Sequence, residues 1–291
     1  MNTAGAAAEA DAALDALWAA DTVYRPDLFR GRAALVSGGG SGIGRATALL
    51  LARLGARVVI AGRSQDKLDR VVAYARSRGA EMVGVAGNIR EHEQVLAIYE
   101  RAEAAFGMPD LVVNSAGGQF PQAAIDYAPK GWSAVVNNNL NGTWFMMQRA
   151  AQRWRELGRG GAIVNVVVVT ERGMPGVAHT VAARAGVIGA SRTVAVEWAP
   201  LGIRVNCVAP GLTATEGLDV YPPEAVREFP RANAMKRPGT AMEIAEACVY
   251  LGGPSGSFIT GEVMTVDGGG KLWGELWTAG RPDYYALPAC D

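Results

Sequence analysis

Histidine is almost absent from this chain of 291 residues: it occurs twice, at His92 and His179. The three cysteines, Cys207, Cys248 and Cys290, are scattered. Neither set has metal-ligand spacing, so no metal site is expected and a disulfide framework is excluded as an organising principle. Cys207, in the apolar run Arg204-Val-Asn-Cys-Val-Ala, reads as packing, and a reduced cytoplasmic setting is expected. There is no excess charge of either sign, since 28 Lys and Arg balance 28 Asp and Glu. With no basic run either, nucleic acid and acidic membrane surfaces are not expected partners. No apolar run reaches the roughly 18 residues that span a bilayer. Residues 1–21 are Ala-rich but carry Glu9, Asp11 and Asp15 and lack the basic start of a secretory signal. The ending Pro-Ala-Cys-Asp is not a peroxisomal Ser-Lys-Leu signal.

What is present is apolar and periodic. The chain is 49% hydrophobic and 19% charged, enough apolar content for a sizeable core. From Ala33 onward, β-rich runs alternate with amphipathic helical stretches, which predicts a parallel sheet with helices on both faces. The runs are Ala33–Ser37, Arg57–Ala61, Met82–Ala86, Leu111–Val113, Ala162–Val169, Arg204–Val208 and Val263–Val266. Helices are expected over Gly44–Leu54 and His92–Phe106, among others. The expected organisation is an N-terminal arm (1–30), one α/β domain of the doubly wound Rossmann type with about seven strands (31–270), and an aromatic extension (271–291). Trp273, Trp277, Tyr284 and Tyr285 make that extension aromatic, and ordering on a partner or over a pocket is expected of it.

The glycine-rich string Ser37-Gly38-Gly-Gly-Ser41-Gly42-Ile43-Gly44 follows the first strand and opens a helix. Small residues there let the backbone approach a pyrophosphate, and the helix N-terminus favours its charge. The second strand ends Ala61-Gly62-Arg63, where an NAD-selective site would carry a carboxylate for the ribose diol. Arg63 instead offers a fork for a 2′-phosphate, so NADP(H) is the expected cofactor. Asn88 and Ile89, after the third strand, are placed to meet the adenine.

These strings resemble the short-chain dehydrogenase/reductase superfamily. Asn114-Ser-Ala116-Gly117 is similar to its Asn-Asn-Ala-Gly, and Asn139-Leu-Asn-Gly-Thr143 to its Asn-x-x-Gly-Thr helix. Arg204 to Thr215, containing Pro210, Gly211 and Thr213, resembles the segment that wraps the nicotinamide. Phe258 to Gly269 resembles the last strand. The resemblance implies that Asn139 organises a proton-relay water. It also implies a Tyr-x-x-x-Lys pair and a Ser, which this chain lacks: Thr180 and Arg184 occupy the pair's positions, and Val167 and Val168 the Ser slots.

One subfamily with a similarly altered site is the peroxisomal-type trans-2-enoyl-CoA reductases. Gly117-Gly118-Gln119-Phe120, Lys130-Gly131-Trp132, Val177-Ala-His179-Thr-Val-Ala-Ala-Arg184-Ala-Gly-Val and Val196-Glu197-Trp198 resemble its motifs. That likeness implies NADPH-dependent reduction of an acyl-thioester substrate. Thr170, His179 and Thr180 are then candidate donors to an enolate oxygen, with Arg184 on the cofactor ribose. Two other readings remain open: a carbonyl reductase with a substitute acid such as Tyr127 or Tyr221, and a non-catalytic NADP-binding protein. A substrate loop is expected over Leu212–Arg237. A homo-oligomer, dimer or tetramer, is expected through helices at Trp132–Leu157 and Val181–Ala199.

Overall fold

A computed structural model describes residues 3–274, with side chains from Glu9 onward. Trp277, Tyr284, Tyr285 and Cys290 lie outside the described residues. The strands of the main sheet are β1 (Ala33–Ser37), β2 (Arg57–Gly62), β3 (Met82–Ala86), β4 (Leu111–Asn114), β5 (Gly161–Val166), β6 (Ile203–Pro210) and, last in the chain, β9 (Val263–Val266). All pair in parallel in the order β3-β2-β1-β4-β5-β6-β9. This is the seven-stranded parallel sheet expected from the alternating runs; a short parallel pair, β7 (Thr213–Ala214) with β8 (Gly239–Thr240), stands apart from it. Each central strand is apolar at nearly every position because both faces are covered; all five residues of β1 are buried.

One face carries α2 (Gly42–Arg53), α3 (Gln65–Ser77) and α9 (Ala241–Gly252), which follows the short α8 (Pro223–Glu228); the other carries α4 (His92–Phe106), α6 (Gly142–Glu156) and α7 (Ala178–Glu197). The expected helix at Gly44–Leu54 therefore begins at Gly42, within the glycine string. The arm is helical too: α1 (Thr3–Ala19) lies on the α2 face, with Leu14 fully buried and Asp15 paired to Arg78. Among the described residues no helix is long and apolar enough to cross a membrane.

Two departures from the expected boundaries shape the site. The run Ala162–Val169 pairs only as far as Val166; Val167 N–H still donates to the Val208 carbonyl at 2.8 Å, and the chain then turns out of the sheet. Its β-branched tail is a wall beyond the sheet edge rather than strand. Between α5 (Pro129–Val136) and α6 lies one turn of π-helix, Asn137–Asn141. A π turn rotates its side chains out of the α register, a distortion often found at functional sites; here it delivers Asn139, fully buried, to the interior.

The strand order reverses between β1 and β4. Connections leave these neighbours in opposite directions, so a crevice opens at their carboxyl ends, where ligands bind in doubly wound sheets.

Candidate active site

A cleft of about 650 Å³ fills that crevice. Gly38, Ser41, Gly42 and Ile43 line it from the β1–α2 turn, Arg63 from the end of β2, and Asn88 and Ile89 from the end of β3. Ala116 and Gly117 line it from beyond β4, Arg184 from α7, and Pro210 and Thr215 from beyond β6. Three further residues called from sequence sit behind this surface. Ser37 is buried and its hydroxyl accepts from Ala116 N–H at 3.3 Å. Asn114 donates to Asn165 Oδ1 at 2.8 Å, joining β4 to β5. Gly44 contributes by having no side chain, since a Cβ there would lie 2.4 Å from the Gly38 carbonyl oxygen. Gly38 itself has φ +74°, and a Cβ would meet the Ala116 nitrogen at 2.8 Å. Gly38 and Gly44 are thus closed to any larger residue, as a cradle for close backbone approach requires.

Arg184 forms the floor. It is 7% exposed, and its Nη1 donates to the Val166 carbonyl at 2.8 Å, where β5 ends. Burial pushes its pKa down from 12.5 to about 10, which leaves it charged at neutral pH. A Cβ at Gly117 would come within 2.0 Å of Arg184 Nη2, so the glycine is required by the guanidinium beside it.

A second cavity of about 400 Å³ adjoins the cleft and shares Gln119, Val168, Pro210 and Thr215 with it. Gly211 and Thr213 line this second cavity, not the first. Its walls are largely apolar: Val169, Met174, Leu212, Leu218, Tyr221 and Phe229, most of them from the segment expected to be a substrate loop. Gln119 Nε2 donates to the Tyr221 hydroxyl at 2.6 Å, bridging the two sides. Burial pushes the Tyr221 pKa up, partly opposed by Gln119, so the phenol stays protonated at neutral pH.

The candidate donors are arranged differently from that pair. Thr180 is buried, its hydroxyl accepts from Asn139 Nδ2 at 2.9 Å, and it lines neither cavity. Asn139 is occupied further, donating to the Gly118 carbonyl at 2.9 Å and accepting from Gly118 N–H at 3.0 Å. His179 is also fully buried and lines neither cavity. It stacks on Tyr127, with centroids 4.7 Å apart and planes at 10°, and meets Phe120 edge-on at 4.6 Å. Thr170 lies past the end of β5, its N–H bonded to the Glu171 side chain, and again lines neither cavity. Sequence reasoning missed Lys67, which lines the cleft beside Arg63, and Glu216, whose carboxylate reaches the start of α2. Lys67 stands four residues after Arg63 in a helix that begins at Gln65, a spacing that could have pointed to it.

The burial of His179 makes a pH prediction. Thr180 N–H donates to its Nδ1 at 2.7 Å, and burial lowers its pKa below 6.5, partly opposed by backbone at Val177 and Phe120. The unfolded chain therefore takes up this proton first as pH falls, and stability is lost below pH 6.5 while full above it. The expected slope from this residue is at most about 1.4 kcal/mol per pH unit. Urea unfolding from pH 7.5 to 5 should fall more steeply for the unmodified chain than for His179→Asn; parallel curves would contradict it.

A family model described as enoyl-(acyl carrier protein) reductase matches residues 38–271. A peroxisomal 2,4-dienoyl-CoA reductase ((3E)-enoyl-CoA-producing) of Arabidopsis thaliana is 35% identical over 265 residues, covering 87% of this chain and 88% of its own. A 3-oxoacyl-(acyl-carrier-protein) reductase of Thermotoga maritima is 34% identical over 240 residues, covering 82% and 97%. Among solved structures, a citronellol catabolism dehydrogenase of Pseudomonas aeruginosa PAO1 superposes with a TM-score of 0.77 at 37% identity, covering 87% of this chain and all of its own. With the doubly wound sheet and the glycine cradle in place, these matches make the chain a member of the short-chain dehydrogenase/reductase family, oxidoreductases that work with a nicotinamide cofactor.

Proposed function

We propose that this chain is an NADPH-dependent reductase that converts the C2=C3 double bond of a trans-2-enoyl thioester to the saturated acyl thioester. The observation that carries the reading is the state of Thr180: a buried hydroxyl, already bonded to Asn139, stands where a ketone-reducing site needs its acid. A ketone gives an alkoxide and needs a strong positioned proton donor. A conjugated thioester gives an enolate, which needs hydrogen-bond donors at its oxygen and accepts its proton slowly at carbon. Gln119 and Tyr221 meet that need from the apolar cavity, with His179, Thr170 and Thr180 outside both cavities. The names of the 2,4-dienoyl-CoA reductases, which denote reduction of a conjugated acyl-CoA, support the same class.

The residues present fit a dinucleotide, because Gly38 and Gly44 leave no room for a Cβ and the backbone of the turn faces the cleft. The cofactor, when bound, supplies hydride. Ser41, Gly42 and Thr215 would hold its phosphates, Arg184 a ribose, and Arg63 with Lys67 the 2′-phosphate that marks NADPH. The reading includes a cytoplasmic setting and a homo-oligomer, the latter supported by exposed Trp132, Leu157 and Val196.

Tyr221 also supports a second reading. Its protonated phenol at the cavity wall is a substitute acid for a carbonyl reductase, and the 3-oxoacyl relative points the same way.

Arg63→Asp is expected to weaken NADPH about tenfold or more while sparing NADH; equal affinities of the unmodified chain for both would remove NADPH selectivity. Arg184→Ala should lose cofactor affinity and turnover together, read by fluorescence titration and rate; an unaltered variant would take Arg184 out of the site. With deuterated NADPH and a trans-2-enoyl-CoA, deuteride should appear at the β-carbon and solvent hydrogen at the α-carbon. Label on a carbinol carbon of a 3-oxoacyl substrate, with enoyl-CoA untouched, would select the second reading instead.

A further inference from the structure

Glu216 stands between the two cavities. Thr215 and Gly217, its neighbours, line both, and Leu218 and Tyr221 continue into the apolar one. Its side chain lines the cleft, reaching the N-terminus of α2. Gly42 N–H donates to Oε2 at 3.1 Å, and Arg45 Nη2 lies 2.8 Å from Oε1. Ser41, the residue before α2, makes no side-chain cap of its own. The cap of the glycine-rich helix therefore comes from a carboxylate 174 positions along the chain. Burial pushes this carboxyl up, but backbone N–H donors at Glu216 and Gly42 and the charge of Arg45 outweigh it, leaving it below the ordinary carboxylate range and ionised at neutral pH.

A helix N-terminus that holds an anion is the element on which a dinucleotide's pyrophosphate rests. A carboxylate and a phosphate need the same N–H groups and repel each other. The two cannot share the terminus on equal terms.

We propose that Glu216 is an internal competitor for the pyrophosphate: its carboxylate holds the anion site of α2, yields it when the dinucleotide loads, and so couples loading to release of the strap that walls the acyl cavity. This rests on reading the cleft as a dinucleotide site. The strap runs from Thr215 through Tyr221, and the Glu216 contact ties it to the cofactor half of the molecule. Displacing the carboxylate frees the cavity wall to adjust to an acyl chain only after the cofactor half is filled. A plain surface ion pair, by contrast, would swing aside without cost to phosphate.

The test is binding by the full chain, unmodified and as Glu216→Gln and Glu216→Ala, of three probes. NADPH and inorganic pyrophosphate are expected to bind both variants about threefold to tenfold more tightly. Adenosine 2′-monophosphate, which carries no pyrophosphate, should bind all three proteins alike. Saturating pyrophosphate should also speed hydrogen exchange over residues 215–221 in the unmodified chain, to the rate that Glu216→Ala has without it. Unchanged or weaker NADPH and pyrophosphate binding by the variants overturns the proposal. So does equal tightening for adenosine 2′-monophosphate, which would mark a general charge effect, and so does strap exchange that pyrophosphate leaves unaltered. Failure of all three proteins to bind NADPH would overturn the dinucleotide reading, and the competitor with it; binding that is merely insensitive to Glu216 sinks the competitor alone.

Discussion

A buried cation without a carboxylate sets the geometry of this site. Arg184 is nearly inaccessible, and among the described residues no ion pair holds it. Burying a charge that way is costly unless hydrogen bonds and a facing ligand compensate. One bond is present, to the carbonyl of Val166. That acceptor is free because β5 stops at Val166 and the chain then leaves the sheet. Gly117 follows from the same constraint, since no other residue leaves room for the guanidinium. The end of a strand, a glycine on the neighbouring crossover and the facing side of α7 meet at one positive charge. The natural complement of such a cleft is a polar or anionic ligand, which is what its glycine turn also suits.

The fold was legible because it is periodic. Seven apolar runs became seven parallel strands, since strands buried on both faces leave an unbroken β-branched signature. Ala162–Val169 was overlong for a physical reason: Val168 and Val169 are apolar as a cavity wall, not as ladder partners, and composition alone does not separate these uses. The cofactor turn was legible because its glycines are local, and two of them, Gly38 and Gly44, are required by backbone atoms nearby. The reacting side was not. His179 in a helix start looks like a donor, but the aromatic cage of Phe120 and Tyr127 that buries it comes from a segment over 50 residues earlier. Gln119 meeting Tyr221, and Glu216 meeting Gly42, span 102 and 174 positions. Such contacts depend on where loops cross above the sheet, which no spacing rule records.

The chemistry is set by which polar groups are already engaged. Asn139, brought inward by the π turn, gives its amide to Gly118 and Thr180 and its oxygen to Gly118. In that network Thr180 accepts the Asn139 amide at its hydroxyl oxygen, and it is buried outside both cavities. Val167 and Val168 remove the last hydroxyl from the wall above β5. The Gln119 amide, which lines both cavities, and the Tyr221 phenol it bonds stand beside the apolar side chains of Val168, Val169, Met174 and Leu218. Hydrogen bonds gain strength in such surroundings, because little water competes for the donors. On the proposed reading, the charge delocalised over a thioester oxygen would be held by these two donors while carbon waits for its proton. A localised alkoxide would have to be neutralised at once, the role that the second reading gives to Tyr221.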